Sequence, residues 1–247
     1  MILLIKMGLL PKPDLIAMVD TEREASNVFD YQREHIAPIC EDIGVEYVII
    51  KKSEFTQNDV SLASDPDAIL PGFFTEIKGR TADGRTNGKQ PGYCSVKWKV
   101  EPLQRYLNNR FGERELTKRG VDFWIGMSLD EPKRVKIALG KWQKRYPLFE
   151  MRITREQAIG IVEANGLPTP PRSSCWMCPN RRPEEWRWMK KNVPDDFRRA
   201  VEFEKEMQRD FPYLWLTREG VPLPESKFLI DDSNPLDKLC DSGMCFV

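Results

Sequence analysis

Three short runs constrain this 247-residue chain more than anything else in it: DLIAMVDT (14–21), VEYVIIKK (45–52) and VDFWIGMS (121–128). The first is a continuous apolar stretch with a polar end, as a strand buried on both faces must be when neither side meets water. The second is rich in β-branched residues that fit a pleated surface. Helical stretches lie between the runs. Residues 2–7 read as the end of a helix stopped near Gly8 and by Pro11 and Pro13. Thr21 and Glu24 fit a capping box opening a helix that runs to about Gly44. CSVKWKVEPLQRYLNNRF (94–111) reads as a further helix, and another runs from Thr154 to about Asn165, ended by Gly166. YPLFE (146–150) is expected as a short strand, and 183–210 as two helices divided at Pro194. Residues 53–93 are rich in Gly, Pro, Asp and Thr and read as a long functional or mobile loop, and 211–247 as irregular. Strands alternating with helices predict an α/β fold, a parallel sheet with flanking helices and right-handed crossovers. Ligands of such sheets sit at the carboxyl ends of the strands. That rule puts Asp20, Thr21, Ser128, Asp130 and Glu131 on one expected rim.

Composition narrows the setting. Hydrophobic residues make up 40% and charged residues 31%, which is ordinary for a soluble globular protein. No stretch approaches the ~18 apolar residues of a membrane span. The apolar opening MILLIKMGLL has neither a basic leader nor a small-residue cleavage site, so a cytoplasmic protein without a membrane partner is expected. There, six cysteines point to metal or redox use rather than to disulfides. The zero net charge hides an uneven distribution: residues 133–191 carry 14 Lys/Arg against 5 Glu, between acidic ends. A basic middle suits a phosphate, a sulfate or a nucleic acid, and equally suits a solvated face.

Cys175 and Cys178 form a CxxC within PPRSSCWMCPNRRPEEW (170–186). The spacing alone fits zinc, an iron–sulfur cluster or a redox dithiol. A thioredoxin-like pair needs a preceding strand, whereas this one follows a Pro-rich loop. A four-coordinate site needs two more donors, and His35, the lone histidine, falls in a different predicted helix. Cys94, Cys240 and Cys245 are left to supply them, since Cys40 sits among apolar neighbours and reads as core. An all-cysteine set favours iron–sulfur or zinc over harder metals. Lys97 and Lys99, a turn beyond Cys94, suit an anion or a solvated helix face. Arg181 and Arg182 would set an anion beside a cluster at the CxxC. Trp176, Trp186 and Trp188 read as core more readily than as a platform for stacked bases.

Several segments together resemble the phosphoadenosine phosphosulfate (PAPS) reductase-like family of the adenine-nucleotide alpha-hydrolase (PP-loop) superfamily, closest to its phage- and mobile-element-encoded members. They are PKPDLIAMVDTE, CSVKWKVEPLQRYL, WIGMSLDEPKR, RYPLFEMRITREQAIGIVEANGLPTPPRSSCWMCPNRRPEEW and the terminal CDSGMC. The resemblance implies an adenine-nucleotide alpha-hydrolase-like core over 1–168 and a cysteine-bearing helical and irregular region over 169–247 packed on the same domain. It implies nucleotide contacts from Asp20, Thr21, Glu22, Ser128 and Asp130, and a substrate-anion role for Arg134 beside Lys97, Lys99, Arg181 and Arg182. By the family's layout a [4Fe–4S] cluster, with zinc as the alternative, would sit on Cys94, Cys175, Cys178 and Cys245 or Cys240. Cys240 or Cys245 would also be the nucleophile of a reductase.

The sequence departs from the family in lacking its Ser-Gly-Gly-x-Asp-Ser phosphate loop, so a late start or a decayed copy is expected ahead of a repurposed one, and ordinary nucleotide-dependent catalysis is not expected of the chain as written. The function implied is adenine-nucleotide-dependent (ATP or PAPS) sulfur reduction or transfer. The alternatives are an iron–sulfur sulfurtransferase acting on DNA or tRNA, and a non-catalytic metal-stabilised module. A homo-oligomer is compatible with each.

Overall fold

The computed structural model describes residues 1–57, 71–76, 87–90 and 92–230. It is a mixed α/β protein rich in helix, with small sheets rather than one wide one. The chain divides into two compact units, each assembled from separate stretches: Met1–Met18, Asp30–Ile50 and Leu103–Pro170 in one, Val19–Phe29, Lys51–Pro102 and Pro171–Val247 in the other.

In chain order, α1 (Ile2–Lys6) precedes β1 (Ile16–Asp20), which pairs with β2 (Tyr47–Lys51). Between them α2 (Ser26–Tyr31) runs through a π turn, Gln32–Ile36, into α3 (Ala37–Asp42). The helix therefore starts four residues later than the Thr21 capping box predicts. Asp196 caps it instead, accepting the Ser26 N–H at 2.7 Å and the Ser26 hydroxyl at 3.1 Å. The tertiary carboxylate replaces the local cap, which leaves Thr21 and Glu24 for other partners. Cys40 is buried, as its apolar neighbours predict.

Around β1 and β2 the first unit buries Ile5, Ile43 and Val45, with Ile2, Leu10, Ile16 and Trp124 packed against them. After α4 (Glu101–Phe111) and α5 (Glu113–Arg119), β5 (Val121–Trp124) pairs in parallel with β6 (Trp142–Arg145), Val121 opposite Trp142. The expected strand at 146–150 is instead the short helix α6 (Pro147–Glu150). Proline has no N–H for a ladder and suits a first helical position. Glu150 completes the turn by accepting the Tyr146 N–H at 3.0 Å. α7 (Arg155–Ala164) starts where the sequence predicts and opens on a capping box, Gln157 N–H to Thr154 Oγ1 and Thr154 N–H to Gln157 Oε1. Between β5 and β6 the Tyr146 hydroxyl holds Lys136 by its N–H (3.0 Å) and carbonyl (2.9 Å). The following loop then presents Ile137 and Leu139 at 90% and 91% exposure.

The second unit has its own core. Phe73, Trp98, Trp176, Met177, Trp186, Met189, Phe203, Met207 and Leu214 are buried together. α8 (Pro183–Asn192) and α9 (Pro194–Asp210), separated at Pro194 as predicted, supply one side of it. A small antiparallel sheet, ordered β4 (Asn87–Lys89), β3 (Phe74–Glu76), β7 (Leu214–Trp215), supplies another. β3 and β4 lie inside the predicted 53–93 loop, most of which falls outside the described residues. Gly72 enters β3 so close to Gln90 that a Cβ would lie 2.4 Å from its carbonyl oxygen. Glu204 of α9 is buried and accepts the Leu216 N–H (2.9 Å) and the Leu223 N–H (2.6 Å), which ties the segment ahead of α10 (Lys227–Ile230) to the helix.

Candidate thiol site

The second unit gathers Cys94, Cys175 and Cys178 at the edge of its aromatic core, against which Cys94 and Cys175 pack. Cys94 begins the helical run that continues as a π turn over Val96–Val100, a form frequent at functional sites. Trp98 of that turn is buried beneath Lys52, whose ammonium stands 5.3 Å from the ring centre. Cys175 and Cys178 bracket a tight turn closed by Cys178 N–H to the Cys175 carbonyl (3.1 Å) and continued by Arg181 N–H to the Cys178 carbonyl (3.1 Å). Met177 between them is fully buried and pins the turn to the core.

The residues that follow β1 run antiparallel to the CxxC segment. Glu24 is paired with Cys175 in an isolated β-bridge, flanked by Trp176 N–H to the Arg23 carbonyl (2.8 Å) and Ala25 N–H to the Ser174 carbonyl (3.2 Å). This pairing carries Thr21 to Cys175, where Thr21 Oγ1 and Cys175 Sγ are 3.4 Å apart. Lys99 donates to Glu24 Oε2 at 3.2 Å and to Ser173 Oγ at 3.3 Å. The Glu24 side chain is wholly inaccessible to solvent, whereas Lys99 keeps 36% of its own exposed. Arg181 donates to the carbonyls of Ser174 (3.3 Å) and Cys175 (3.2 Å) and packs over Trp186.

The electrostatics tie these groups together. Burial pushes the Cys175 thiol up to about 11, with Glu24 and Cys178 adding to the shift and Thr21 and Lys99 opposing it. Burial likewise raises Cys94, helped by Cys178 and opposed by Lys99. Burial lowers Arg181, while Cys178, Glu185 and Cys175 favour its charged form. Thiols raised in this way are protonated and weakly nucleophilic at neutral pH. A bound metal reverses that logic, since it displaces the thiol proton outright. Among the described residues no three His, Cys, Asp or Glu side chains stand close enough together to hold a metal ion as they are. A metal bound here therefore draws the thiols inward or recruits donors from beyond residue 230. Several buried polar atoms on these segments have no hydrogen-bond partner among the described residues: Glu24 Oε1, Ser174 Oγ and the indole nitrogens of Trp98 and Trp176.

The other residues singled out in the sequence lie as follows. Asp20 Oδ1 accepts the Glu22 N–H at 2.6 Å, and its carboxyl is raised chiefly by burial. Glu22 adopts a left-handed conformation (φ 59°) and accepts the Ser53 N–H and hydroxyl at 3.1 and 2.9 Å. Lys97 pairs with Glu101 along its own helix at 2.7 Å. Arg182 is the exposed N-cap residue of α8, its N–H donating to Glu185. Ser128, Asp130 and Arg134 belong to the first unit: Ser128 is buried, and Arg134 is 64% exposed and paired with Glu131. Asp130 accepts the Arg155 N–H at 2.6 Å, which holds it below the usual carboxylate range. Trp176 and Trp186 are core and Trp188 packs against them, as expected. Cys240 and Cys245 lie outside the described residues. Sequence reasoning missed the placement of Glu24, since its spacing from Thr21 imitates a capping box, and the partial burial of Arg181.

The chain matches no family model, no curated protein and no solved structure.

Proposed function

We propose that this protein carries out PAPS reductase-like sulfur chemistry, a reduction or a transfer dependent on an adenine nucleotide, at a metal centre held by Cys94, Cys175 and Cys178. The observation that carries the reading is that Cys94 and Cys175, far apart in sequence, pack on one core beside the turn that follows β1, with Cys178 electrostatically coupled to both. The donor set fits a soft metal: thiols, with two nearby cations to offset their charge, and a carboxylate oxygen without a hydrogen-bond partner among the described residues. When bound, an iron–sulfur cluster supplies redox capacity or a place for sulfur, and zinc supplies a Lewis acid. Thr21 orients the Cys175 sulfur from behind, and Lys99 and Arg181 offset the charge of the thiolates. The nucleotide is assigned to the Asp20–Glu22 turn. A non-glycine residue held at positive φ, as Glu22 is, is a mark of a functional turn. The test is anaerobic purification with a visible spectrum and assays for iron, sulfide and zinc, followed by melting with ATP or PAPS. A metal stoichiometrically bound and a nucleotide-dependent rise in Tm are expected. A colourless, metal-free chain that no nucleotide stabilises overturns the reading.

A second reading, a sulfurtransferase acting on DNA or tRNA, is favoured by the loop that Tyr146 pins. Its exposed Ile137 and Leu139 are flanked by Lys133, Arg134, Lys136, Lys141, Lys144 and Arg145, with no acidic residue from 132 to 149. Affinity for DNA or tRNA that falls linearly with log salt supports this reading, and a flat response removes it.

A further inference from the structure

Glu24 is the anomaly of the thiol site. Its side chain has no solvent exposure, one carboxylate oxygen is bonded to Lys99, and the other has no partner among the described residues. A buried acceptor left unsatisfied is costly, and native structures keep few of them without a reason. No local reason is present. Glu24 caps no helix, because α2 starts at Ser26 and is capped by Asp196.

Its position supplies the reason. Directly opposed residues of an antiparallel bridge send their side chains to the same face, with Cβ atoms about 4.5–5.5 Å apart. Glu24 and Cys175 are such a pair, and each thiol of the CxxC is electrostatically coupled to the next group in the set. Resting on the metal centre proposed above, we infer that Glu24 is a ligand of it, so that Cys94, Cys175, Cys178 and the Oε1 of Glu24 form the donor set of a divalent metal ion.

Two further observations fit this assignment. A ligating carboxylate is normally oriented by a hydrogen bond to its other oxygen, and Lys99 provides that bond on Oε2. Thr21 plays the same part for Cys175. The charges also close. Three thiolates and a carboxylate around a divalent ion leave two negative charges, and the Lys99 ammonium and the Arg181 guanidinium are the two cations coupled to these sulfurs. A buried site is tolerable only when its charges are compensated in this way. Binding releases the thiol protons and draws the donors together by side-chain rotation.

The experiment is anaerobic Co²⁺ titration of the full-length, reduced, metal-free chain, read by the thiolate-to-cobalt charge-transfer band and the visible d–d bands, with Zn²⁺ competition giving affinity. Four chains are compared: the parent, Glu24→Gln, Glu24→Cys, and Cys240→Ser combined with Cys245→Ser. The parent is expected to give a tetrahedral cobalt spectrum, and the double serine variant to keep it. Glu24→Gln is expected to bind at least about 10- to 100-fold more weakly with shifted d–d bands. Glu24→Cys is expected to regain affinity with a stronger charge-transfer band, which guards against a Glu24→Gln chain that merely fails to fold. If Glu24→Gln matches the parent while the double serine variant loses the spectrum, a C-terminal cysteine is the fourth donor. The assignment of Glu24 then falls and the metal centre stands. If the parent binds no cobalt, the metal centre itself falls.

Discussion

Replacing Lys99 with Met tests the electrostatic frame of the site without touching a thiol. The change keeps most of the aliphatic stem and removes the cation bonded to a carboxylate that has no solvent exposure. Breaking a buried ion pair by deleting one partner costs about 3–5 kcal/mol, because the other charge stays buried and uncompensated. An exposed pair is worth only about 0–1 kcal/mol. Lys99 lies between these limits, since 36% of its side chain reaches water and the charge it serves reaches none. The bond to Ser173 Oγ adds about 1 kcal/mol more. The expected loss for Lys99→Met is therefore about 2–4 kcal/mol at neutral pH. Deleting both charges, Lys99→Met with Glu24→Gln, removes the stranded carboxylate, so the double variant is expected to be more stable than the single one. The assay is urea unfolding followed by tryptophan fluorescence, to which Trp98, Trp176 and Trp186 of the same core report. Two outcomes refute the reasoning: a Lys99→Met chain within about 0.5 kcal/mol of the parent, or a double variant no more stable than Lys99→Met.

Glu204→Ala strands the N–H groups of Leu216 and Leu223, at about 1–3 kcal/mol each, and a urea midpoint that does not move refutes the tie. Because burial raises the Glu204 carboxyl above its unfolded value, the folded state holds the extra proton. Parent stability should therefore fall as pH rises from the ordinary carboxylate range through the raised value, and Glu204→Gln should flatten that slope. Gly72→Ala places a methyl 2.4 Å from the Gln90 carbonyl oxygen, so β3 and β4 must separate, at about 1–3 kcal/mol; unchanged stability would contradict the close approach. Cys175, pushed up to about 11, should react with iodoacetamide at pH 8 about two orders of magnitude more slowly than a small thiol in the metal-free chain, and equal rates measured by mass spectrometry would show that its burial does not govern its reactivity.

Much of this architecture is legible from the chain because local and tertiary preferences agree there. α7 opens at Thr154, where the sequence reading starts a helix, and Pro194 divides α8 from α9. The runs at 14–21 and 45–52 contain β1 and β2, and Cys40 and the tryptophans are core as their neighbours suggest. What was not legible depends on partners distant in sequence. Asp196, 170 residues away, displaces the start of α2. Pro147, in a stretch that looks like a strand, becomes the first turn of α6 because the strand ladder is already filled by Trp142–Arg145.

The failures of local reading are not scattered evenly. The segment Thr21–Ala25 carries the clearest one: a cap signature that caps nothing, a non-glycine residue at positive φ, and a carboxylate buried without a second partner among the described residues. Natural sequences are locally consistent except where function requires otherwise, so a cluster of inconsistencies marks a site more reliably than any one residue type. A helix starting at Thr21 would turn Thr21 and Glu24 toward their own backbone. The delayed start at Ser26 instead leaves five residues out of the helix, of which Arg23–Ala25 lie beside Ser174–Trp176 and Thr21 reaches the Cys175 sulfur. The same five residues thus account for the lost helical turn and for the hydroxyl that reaches Cys175. Restoring local consistency by replacing Asp196, the distant cap, should therefore cost the thiol site its alignment before it costs the helix its existence.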